Sequence, residues 1–319
     1  MPKEGILIGH NEYRGTRREI RLKREDRFRH FYVIGQTGTG KTTVLTSMAR
    51  QDIRGGEGLA VMDPHGDFAH DLLPFIPKER AEDVIYFNPA DLERPMGLNM
   101  LEYSGEDEKQ MVVQDALSIM IRLFGAEIFG PRIQDYFRNG AITLMDYPEG
   151  GAITDIVRLF TDDNFQMARR QTVKDPAVRQ WWQGVYSKQG DREKAEIIPY
   201  FQAKFGGFIT NRMMRNIIGQ TTSSFDVYDA MQSRKILLIN LSKGLLGDFN
   251  SNLLGLILVS KMQIAAMRRQ SIAKEDRRDF FLYIDEFQNY VTESIESILS
   301  EARKYRLSLN VAHQYIAQL

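Results

Sequence analysis

The sequence has no cysteine, which excludes a disulfide scaffold, a zinc–thiolate site, an iron–sulfur cluster and a cysteine nucleophile. It has no excess of charge, because 42 basic residues cancel 42 acidic ones; a uniformly basic nucleic-acid coat is excluded, whereas local patches are not. The longest apolar stretch, Leu253–Ser260, runs into Lys261 and is far shorter than the roughly 20 residues of a membrane-spanning helix. Residues 1–9 lack the pattern of a secretory signal. We therefore expect a cytoplasmic chain that reaches a membrane only through partners.

The sequence is 43% apolar and 26% charged, which is typical of a globular protein. Its length of 319 residues corresponds to one large or two modest domains. Short apolar runs of strand composition alternate with helical spacing near both ends of the chain, which predicts an α/β fold. The predicted strands cover 6–8, 19–22, 30–34, 58–63, 83–87, 235–240, 280–284 and 307–312. Helices are predicted among them over 44–52, 253–267 and 292–301.

The middle of the chain shows helical spacing only, and its helices are predicted over 111–123, 134–145, 153–160, 177–186 and 193–205. The sequence thus predicts an N-terminal basic strand segment (1–27), an α/β core (28–104 and 233–319) and an all-α insertion (105–232). Trp181 and Trp182 could serve as a base-stacking platform. Adjacent side chains on a helix diverge by about 100°, however, which favours core packing.

The N-terminal segment is the most basic part of the chain, and Glu19, Glu25 and Asp26 offset only part of its charge. Its basic residues, with one just beyond it, are Arg14, Arg17, Arg18, Arg21, Lys23, Arg24, Arg27 and Arg29. Two interpretations remain open. The segment is either a solvated strand face with ion pairs or a groove that faces phosphates.

The strongest motif is the run 35–43, which directly follows a predicted strand, precedes a predicted helix and matches Gly-x4-Gly-Lys-Thr. Glycines let backbone N–H groups surround phosphates, and the helix N-terminus adds partial positive charge. Lys41 is expected to reach the β- and γ-phosphates, and Thr42 to ligate Mg²⁺. The predicted nucleotide-binding residues are Gly35, Gln36, Thr37, Gly38, Thr39, Gly40, Lys41, Thr42, Thr43 and, from the next strand, Asp63.

Three strands deliver polar side chains at their carboxyl ends. Asp285 is expected to hold the Mg²⁺ shell, and Glu286 to act as general base on the attacking water. Asp63 would face the ligand crevice, although it could equally cap the helix that follows; His65 next to it reads as a turn residue. Gln314 is expected to sense the γ-phosphate or the attacking water, with a strand-end cap as the alternative.

In combination these segments resemble the additional-strand P-loop ATPases of the HerA/FtsK superfamily. Within it, the chain is most similar to the cytoplasmic ATPase domains of conjugative coupling proteins and type IV secretion ATPases. The segments that carry the resemblance are 35–43, Asp63–Gly66, Asn240–Gly244, Ile284–Gln288 and Glu301–Gln314.

The resemblance implies a RecA-like core with an additional strand, an all-α insertion, and ATP and Mg²⁺ as ligands. It also implies a homo-oligomer, usually a hexameric ring, in which an arginine of the neighbouring subunit completes each ATP site. Arg303 stands at the matching place, with Arg306 and Arg215 as rivals. DNA and components of a type IV secretion system or relaxosome are the partners that the resemblance implies.

Two features depart from the family pattern. Coupling proteins usually carry N-terminal membrane helices, which this chain lacks. The family core normally continues with a helix and a strand beside the phosphate-loop strand, whereas this sequence ends at Leu319; if the natural protein continues, this chain is a fragment of the core.

The leading hypothesis is a Mg²⁺-dependent ATPase motor that translocates DNA. The alternatives are a secretion ATPase that moves protein and a nucleotide-gated module that binds DNA or a partner and hydrolyses little. A small-molecule kinase is disfavoured, because the Asp285–Glu286 pair and the arginine–glutamine segment suit hydrolysis better than transfer to a metabolite.

Overall fold

The structure, a computed structural model, describes residues 2, 4–291, 295, 298 and 302–315. It divides into two compact units, one of residues 1–88 with 226–319 and one of residues 89–225. The second unit begins at residue 89 and ends at residue 225, whereas the predicted insertion covers residues 105–232. Both of its boundaries therefore lie earlier in the chain than predicted. Asn99 shows why: its side-chain amide donates to the carbonyls of Gly151 (3.2 Å) and Thr221 (2.8 Å), so that the preceding loop is bonded within the helical unit.

Eight strands and thirteen helices are assigned within the described residues. The strands are β1 (Ile6–Tyr13), β2 (Thr16–Leu22), β3 (Phe31–Ile34), β4 (Gly58–Asp63), β5 (Val84–Phe87), β6 (Ile236–Asn240), β7 (Phe280–Ile284) and β8 (Leu307–His313). The helices are α1 (Arg24–Arg27), α2 (Lys41–Arg54), α3 (Asp67–Leu72), α4 (Glu106–Phe124), α5 (Pro131–Met145), α6 (Asp155–Thr161), α7 (Asp163–Arg170), α8 (Pro176–Gln180), α9 (Asp191–Thr210), α10 (Arg212–Ile218), α11 (Val227–Gln232), α12 (Lys243–Leu246) and α13 (Asp248–Arg268). None of these helices is both long and apolar enough to cross a membrane.

The first unit is built on a six-stranded parallel sheet in the order β3-β8-β7-β4-β6-β5. Strands β4, β7 and β8 are buried along their whole length. In β4 and β7 this burial agrees with their nearly continuous apolar runs, whereas β8 also buries the polar residues Ser308, Asn310 and His313. At the edge, β3 leaves Tyr32 48% and Ile34 45% exposed. The parallel sheet confirms the α/β fold class.

Helix α13 supports this sheet and is buried nearly all round, as its apolar composition indicates. Gly255 on this helix faces the ring of Tyr290, and a Cβ atom there would lie 2.1 Å from the ring. Only glycine fits such a close approach. Of the helix predicted over 292–301, only Ile295 and Ile298 are described, and both are helical and buried.

The helical unit holds a core of aromatic rings, which are Tyr136, Phe160, Trp181, Trp182, Tyr186, Phe201 and Phe205. Trp181 donates its indole N–H to Asp135 Oδ2 (2.5 Å), and Trp182 donates to Thr143 Oγ1 (2.9 Å). Both rings are buried, which confirms core packing. The predicted helix 177–186 is broken here, because a π-helical turn over Trp181–Val185 follows α8.

The N-terminal segment forms an antiparallel hairpin of β1 and β2, followed by the short helix α1. The hairpin docks on α2 through Leu7, whose N–H donates to Gln51 Oε1 (2.8 Å) and whose carbonyl accepts from Gln51 Nε2 (2.9 Å). Both strands are longer than predicted and meet at a turn at Arg14–Gly15.

A buried ion pair anchors α1 to the sheet. The Arg27 guanidinium donates to both carboxylate oxygens of Asp52, at 2.6 and 2.8 Å, and to the Tyr283 hydroxyl at 2.8 Å. It also lies 3.6 Å from the ring centre of Phe281. The Tyr283 hydroxyl in turn donates to Asp52. This cluster joins the N-terminal segment, the end of α2 and strand β7.

Candidate active site

The phosphate-type loop connects β3 to α2. Its first amide, that of Gly35, donates to the His313 carbonyl at the end of β8 (3.3 Å), which fixes the loop against the neighbouring strand. Gly38 and Gly40 have φ values of 81° and 91°, in the left-handed region that side chains other than glycine rarely adopt. The two glycines thus allow the loop to turn and place the N-terminus of α2 at the site.

Lys41 begins α2, and its ammonium donates to the Gln36 carbonyl within the loop (3.0 Å). The Thr39 hydroxyl donates to the same carbonyl (2.7 Å). The loop therefore closes on itself, with a partly exposed cation at its mouth. A flexible ammonium in this position can move from a backbone carbonyl to a phosphate oxygen with little reorganisation.

Thr42 and Asp285 meet where α2 begins and β7 ends. The Thr42 hydroxyl donates to Asp285 Oδ2 (2.6 Å), and the other carboxylate oxygen accepts from the Glu286 N–H (2.9 Å). Asp285 is only 4% exposed. A hydroxyl and a carboxylate are the hard oxygen ligands that Mg²⁺ prefers, and Mg²⁺ takes few of its ligands from protein when it also binds phosphates. The residues present fit such an ion.

Glu286 adopts a left-handed backbone conformation, with φ 47° and ψ 49°. A non-glycine residue there costs on the order of 1–3 kcal/mol and persists only where its surroundings hold it. The carbonyl of Glu286 accepts from the backbone N–H of Asn289 (3.1 Å) and from its side-chain amide (2.9 Å). These contacts fix the direction in which the Glu286 side chain leaves the sheet.

The carboxylate of Glu286 is itself held by two side chains. His65 Nε2 lies 3.1 Å from Oε1, and Asn289 Nδ2 lies 3.4 Å from Oε2. Asn289 Oδ1 accepts from Lys243 Nζ (3.0 Å), which also pairs with Asp248 (3.3 Å). Sequence reasoning did not single out Asn289 or Lys243. The available signal was that Lys243 lies in the family-like run Asn240–Gly244 and that Asn289 is one short turn beyond the Asp–Glu pair.

Asp63 bonds to the turn and the helix that follow its strand. One carboxylate oxygen accepts from the His65 N–H (2.9 Å) and the other from the Ala69 N–H (3.1 Å). Burial raises the pKa of Asp63, while these amides act in the opposite direction. Gly66 in the same turn has φ 96°, and a Cβ there would lie 2.9 Å from the Asn240 side chain. Asp63 therefore shapes the turn that presents His65 to Glu286.

The end of β8 also contributes to the site, next to the phosphate-type loop. His313 is fully buried, and its Nε2 lies 3.0 Å from the Tyr32 hydroxyl of β3. Burial lowers the pKa of His313, a backbone hydrogen bond with Tyr315 acts in the opposite direction, and the charge of Lys41 adds to the lowering. Gln314 follows it into the cleft.

Most of the predicted residues line one cleft of about 300 Å³, but Gly35, Gln36 and Thr39 are not among its lining residues. It is lined by Thr37, Gly38, Gly40, Lys41, Thr42, Thr43, His65, Asp285, Glu286 and Gln314. All of these belong to the first unit, and Asp63 is not among them. The arrangement offers a cation and backbone amides for phosphates, oxygen ligands for a metal ion, and an oriented carboxylate for proton transfer.

Three arginines were predicted as candidates for the intersubunit contact. The side chain of Arg303 lies outside the described residues. Its rival Arg306 pairs with Asp279 (3.4 Å), and Arg215 of the helical unit donates to the Ile209 carbonyl (3.0 Å).

Comparisons with known proteins agree with this architecture. The plasmid coupling protein TrwB in complex with the GTP analogue GDPNP is 17% identical, with a TM-score of 0.63 over 100% of this chain and 69% of that chain. TrwB in complex with ADP and Mg²⁺ is 16% identical, with a TM-score of 0.63 over 99% and 70%. VirB4 of Thermoanaerobacter pseudethanolicus is 11% identical, with a TM-score of 0.58 over 100% and 79%.

At these identities the likenesses show the fold alone. No curated protein matches the sequence significantly. The sequence profile of the family described as "Helicase HerA, central domain" matches residues 8–306, which is most of the chain. The protein therefore belongs to the family of the HerA helicase central domain.

Proposed function

We propose that this protein is a Mg²⁺-dependent ATPase motor that acts on DNA in conjugation or type IV secretion. The observation that carries the proposal is the convergence of Lys41, Thr42, Asp285, Glu286 and Gln314 on one cleft. The structural neighbours support it: a plasmid coupling protein binds ADP with Mg²⁺ and a non-hydrolysable ATP analogue.

Binding of ATP rests on the loop and the start of α2. Backbone amides of the loop and the Lys41 ammonium would hold the phosphates, helped by the partial positive charge of the helix N-terminus. Thr42 and Asp285 would hold Mg²⁺, which when bound neutralises charge on the phosphate oxygens. The Thr42 hydroxyl donates to the Asp285 carboxylate at 2.6 Å, so both oxygen ligands lie at one place.

Hydrolysis rests on Glu286. Its carboxylate would accept a proton from a water molecule as the water oxygen bonds to the γ-phosphorus and the bond to the ADP oxygen breaks. The contacts from His65 and Asn289 aim the carboxylate before substrate arrives, which is the preorganisation that general-base catalysis needs. Gln314 would orient the same water or the γ-phosphate from the opposite side of the cleft.

Turnover that drives movement requires coupling between subunits. We propose a homo-oligomeric ring, hexameric as in the wider superfamily, with Arg303 of each subunit acting on the site of its neighbour. DNA is the proposed cargo, and components of a type IV secretion system or relaxosome are the proposed partners on the cytoplasmic side of the membrane.

The deciding experiment measures ATP hydrolysis by the whole chain, with and without single- and double-stranded DNA, across protein concentration. Glu286→Gln serves as the blank. Stimulation by DNA with a steep dependence on protein concentration is the expected result. Turnover that DNA leaves unchanged would instead favour a protein cargo, and ATP binding without turnover at every concentration would favour a nucleotide-gated module.

A further inference from the structure

The tip of the β1–β2 hairpin presents a charged surface that the ATPase site does not use. Arg14 and Gly15 form its turn with φ values of 48° and 73°, the left-handed pair of a tight two-residue hairpin turn. Residues 11–19 are all exposed, and Tyr13 is 62% exposed. At the other end of the hairpin, Leu22 packs against the core and Leu7 bonds to α2. The tip is thus an exposed ribbon on an anchored base.

The two faces of this ribbon differ in charge. Tyr13 pairs with Thr16 and Asn11 with Arg18, whereas Glu12 pairs with Arg17. Paired residues of an antiparallel ladder project to the same side, and successive residues project to opposite sides. We call the first side the Tyr13 face; it consists of Asn11, Tyr13, Thr16 and Arg18, together with Arg14 at the turn.

The Tyr13 face carries positive charge and no acid. The Arg14 guanidinium lies 5.2 Å from the centre of the Tyr13 ring, so it belongs to the same cluster as the ring. The opposite face has Glu12 beside Arg17 and Glu19 beside His10, which balances its charge. A matched comparison therefore exists within one hairpin, because Arg17 and Arg18 are neighbours in sequence on opposite faces.

The arginines at the base of the hairpin and in α1 are paired with carboxylates within the protein. Arg21 pairs with Glu19 (2.8 Å), Arg24 with Asp279 (2.5 Å), and Arg27 with Asp52 (2.6 Å). Among the ion pairs between described residues, none involves Arg14, Arg17 or Arg18, but Arg17 lies opposite Glu12 in the ladder, whereas Arg18 lies opposite Asn11. The interpretation as ion pairs therefore fits the base of the segment. At its tip, guanidinium groups without a paired acid remain, which fits the interpretation as a phosphate-binding surface.

We propose that the Tyr13 face binds single-stranded nucleic acid, an inference that rests on the proposed function and assigns part of its DNA contact. Guanidinium groups bind phosphate oxygens in a bidentate manner, and Arg14 and Arg18 supply two of them. An exposed aromatic ring stacks on unpaired bases, whose faces a duplex hides. An acidic protein surface would engage the two arginines but would leave the Tyr13 ring without a role.

The test measures binding of a fluorescein-labelled oligothymidylate of about 20 nucleotides by anisotropy, with the whole chain and no nucleotide triphosphate. Arg14→Ala combined with Arg18→Ala is expected to weaken binding. It should also reduce the slope of log K against log salt by about 1.4, since each lost phosphate contact on a single strand removes about 0.7. Tyr13→Leu is expected to weaken binding about tenfold and leave that slope unchanged, because stacking releases no counterions.

Arg17→Ala is the matched control, since it removes the same charge from the opposite face; it should change the affinity by less than about twofold. Thermal melting of each variant shows whether the hairpin still folds. An equal loss in Arg17→Ala and Arg18→Ala would overturn the proposal, because it would mean diffuse attraction by net charge. A double arginine variant that binds like the wild type, or a Tyr13→Leu variant with unchanged affinity, would overturn it too.

The binding assay and the ATPase assay test the hairpin contact and the proposed motor separately. If the wild type binds the oligonucleotide through Tyr13 but DNA leaves ATP turnover unchanged, the motor is wrong and the contact stands. If DNA stimulates turnover while the double arginine variant binds normally, the motor stands and the contact is wrong.

Discussion

Replacing Asp52 by asparagine is expected to lower the free energy of unfolding of the first unit by about 3–5 kcal/mol. The substitution keeps the shape of the side chain but leaves the Arg27 guanidinium buried without a counter-charge. Both partners are 4% exposed, so solvent cannot screen the loss, and Arg27 would retain only uncharged partners, which are the amide oxygen of the new side chain, the Tyr283 hydroxyl and the Phe281 ring. For a unit of this size, each kcal/mol corresponds to roughly 2–4 °C in melting temperature.

Urea unfolding followed by circular dichroism measures the loss, and hydrogen exchange of the amides in α2 and β7 localises it. The control is the double variant Arg27→Met with Asp52→Leu, which removes both charges. It should recover most of the stability, because a buried ion pair is often no better than apolar residues of similar volume. A loss below about 1 kcal/mol in Asp52→Asn, or a double variant as unstable as the single one, would refute the argument.

The remaining predictions concern the cleft. Lys41→Ala should abolish ATP binding in an equilibrium titration, because it removes the cation at the mouth of the loop; unchanged affinity would contradict the assignment. Glu286→Gln should bind ATP normally and lower kcat by about 10²–10⁴-fold, whereas lost binding would mean a structural role. Asn289→Ala should lower kcat and leave KM unchanged, since it only aims Glu286, and an unchanged kcat would argue against that contact. Because the pKa of His313 is lowered in the folded protein, its neutral ring stabilises the fold above pH about 6.5, and this stabilisation is lost as the pH falls toward the folded-state pKa. His313→Gln should therefore reduce the dependence of the melting temperature on pH in this acid range. Arg303→Ala should lower hydrolysis only in assembled protein, and an equal loss in dilute monomer would exclude a role across subunits.

The sequence predicted the sheet well, because parallel strands buried on both faces are continuous apolar runs with sharp ends. Strands β4 and β7 have the predicted bounds, 58–63 and 280–284. The hairpin was underestimated, since the tip residues of β1 and β2 are polar and exposed and carry no apolar signal. The loop before position 105 could not be assigned to the helical unit, because its bonds reach side chains and carbonyls more than 100 positions away.

The cleft shows the same limit at the level of single residues. Lys41, Thr42, Asp285 and Glu286 could be predicted, because each follows a recognisable strand or opens a recognisable helix. The contacts that position the Glu286 side chain could not be predicted. Lys243 and Asn289 are 46 positions apart, and nothing in either local pattern indicates that their side chains meet.

The position of β8 between β3 and β7 has a consequence for folding during synthesis. The strand β3, which precedes the phosphate-type loop, emerges early from the ribosome, yet the strand that pairs with it among the described residues, β8, lies about 280 positions later. Such distant pairing must wait for closure of the whole intervening chain and makes folding slow. We therefore expect nascent chains to acquire tight ATP binding only once β8 has left the exit tunnel. Until then, the loop would remain without the strand that fixes it.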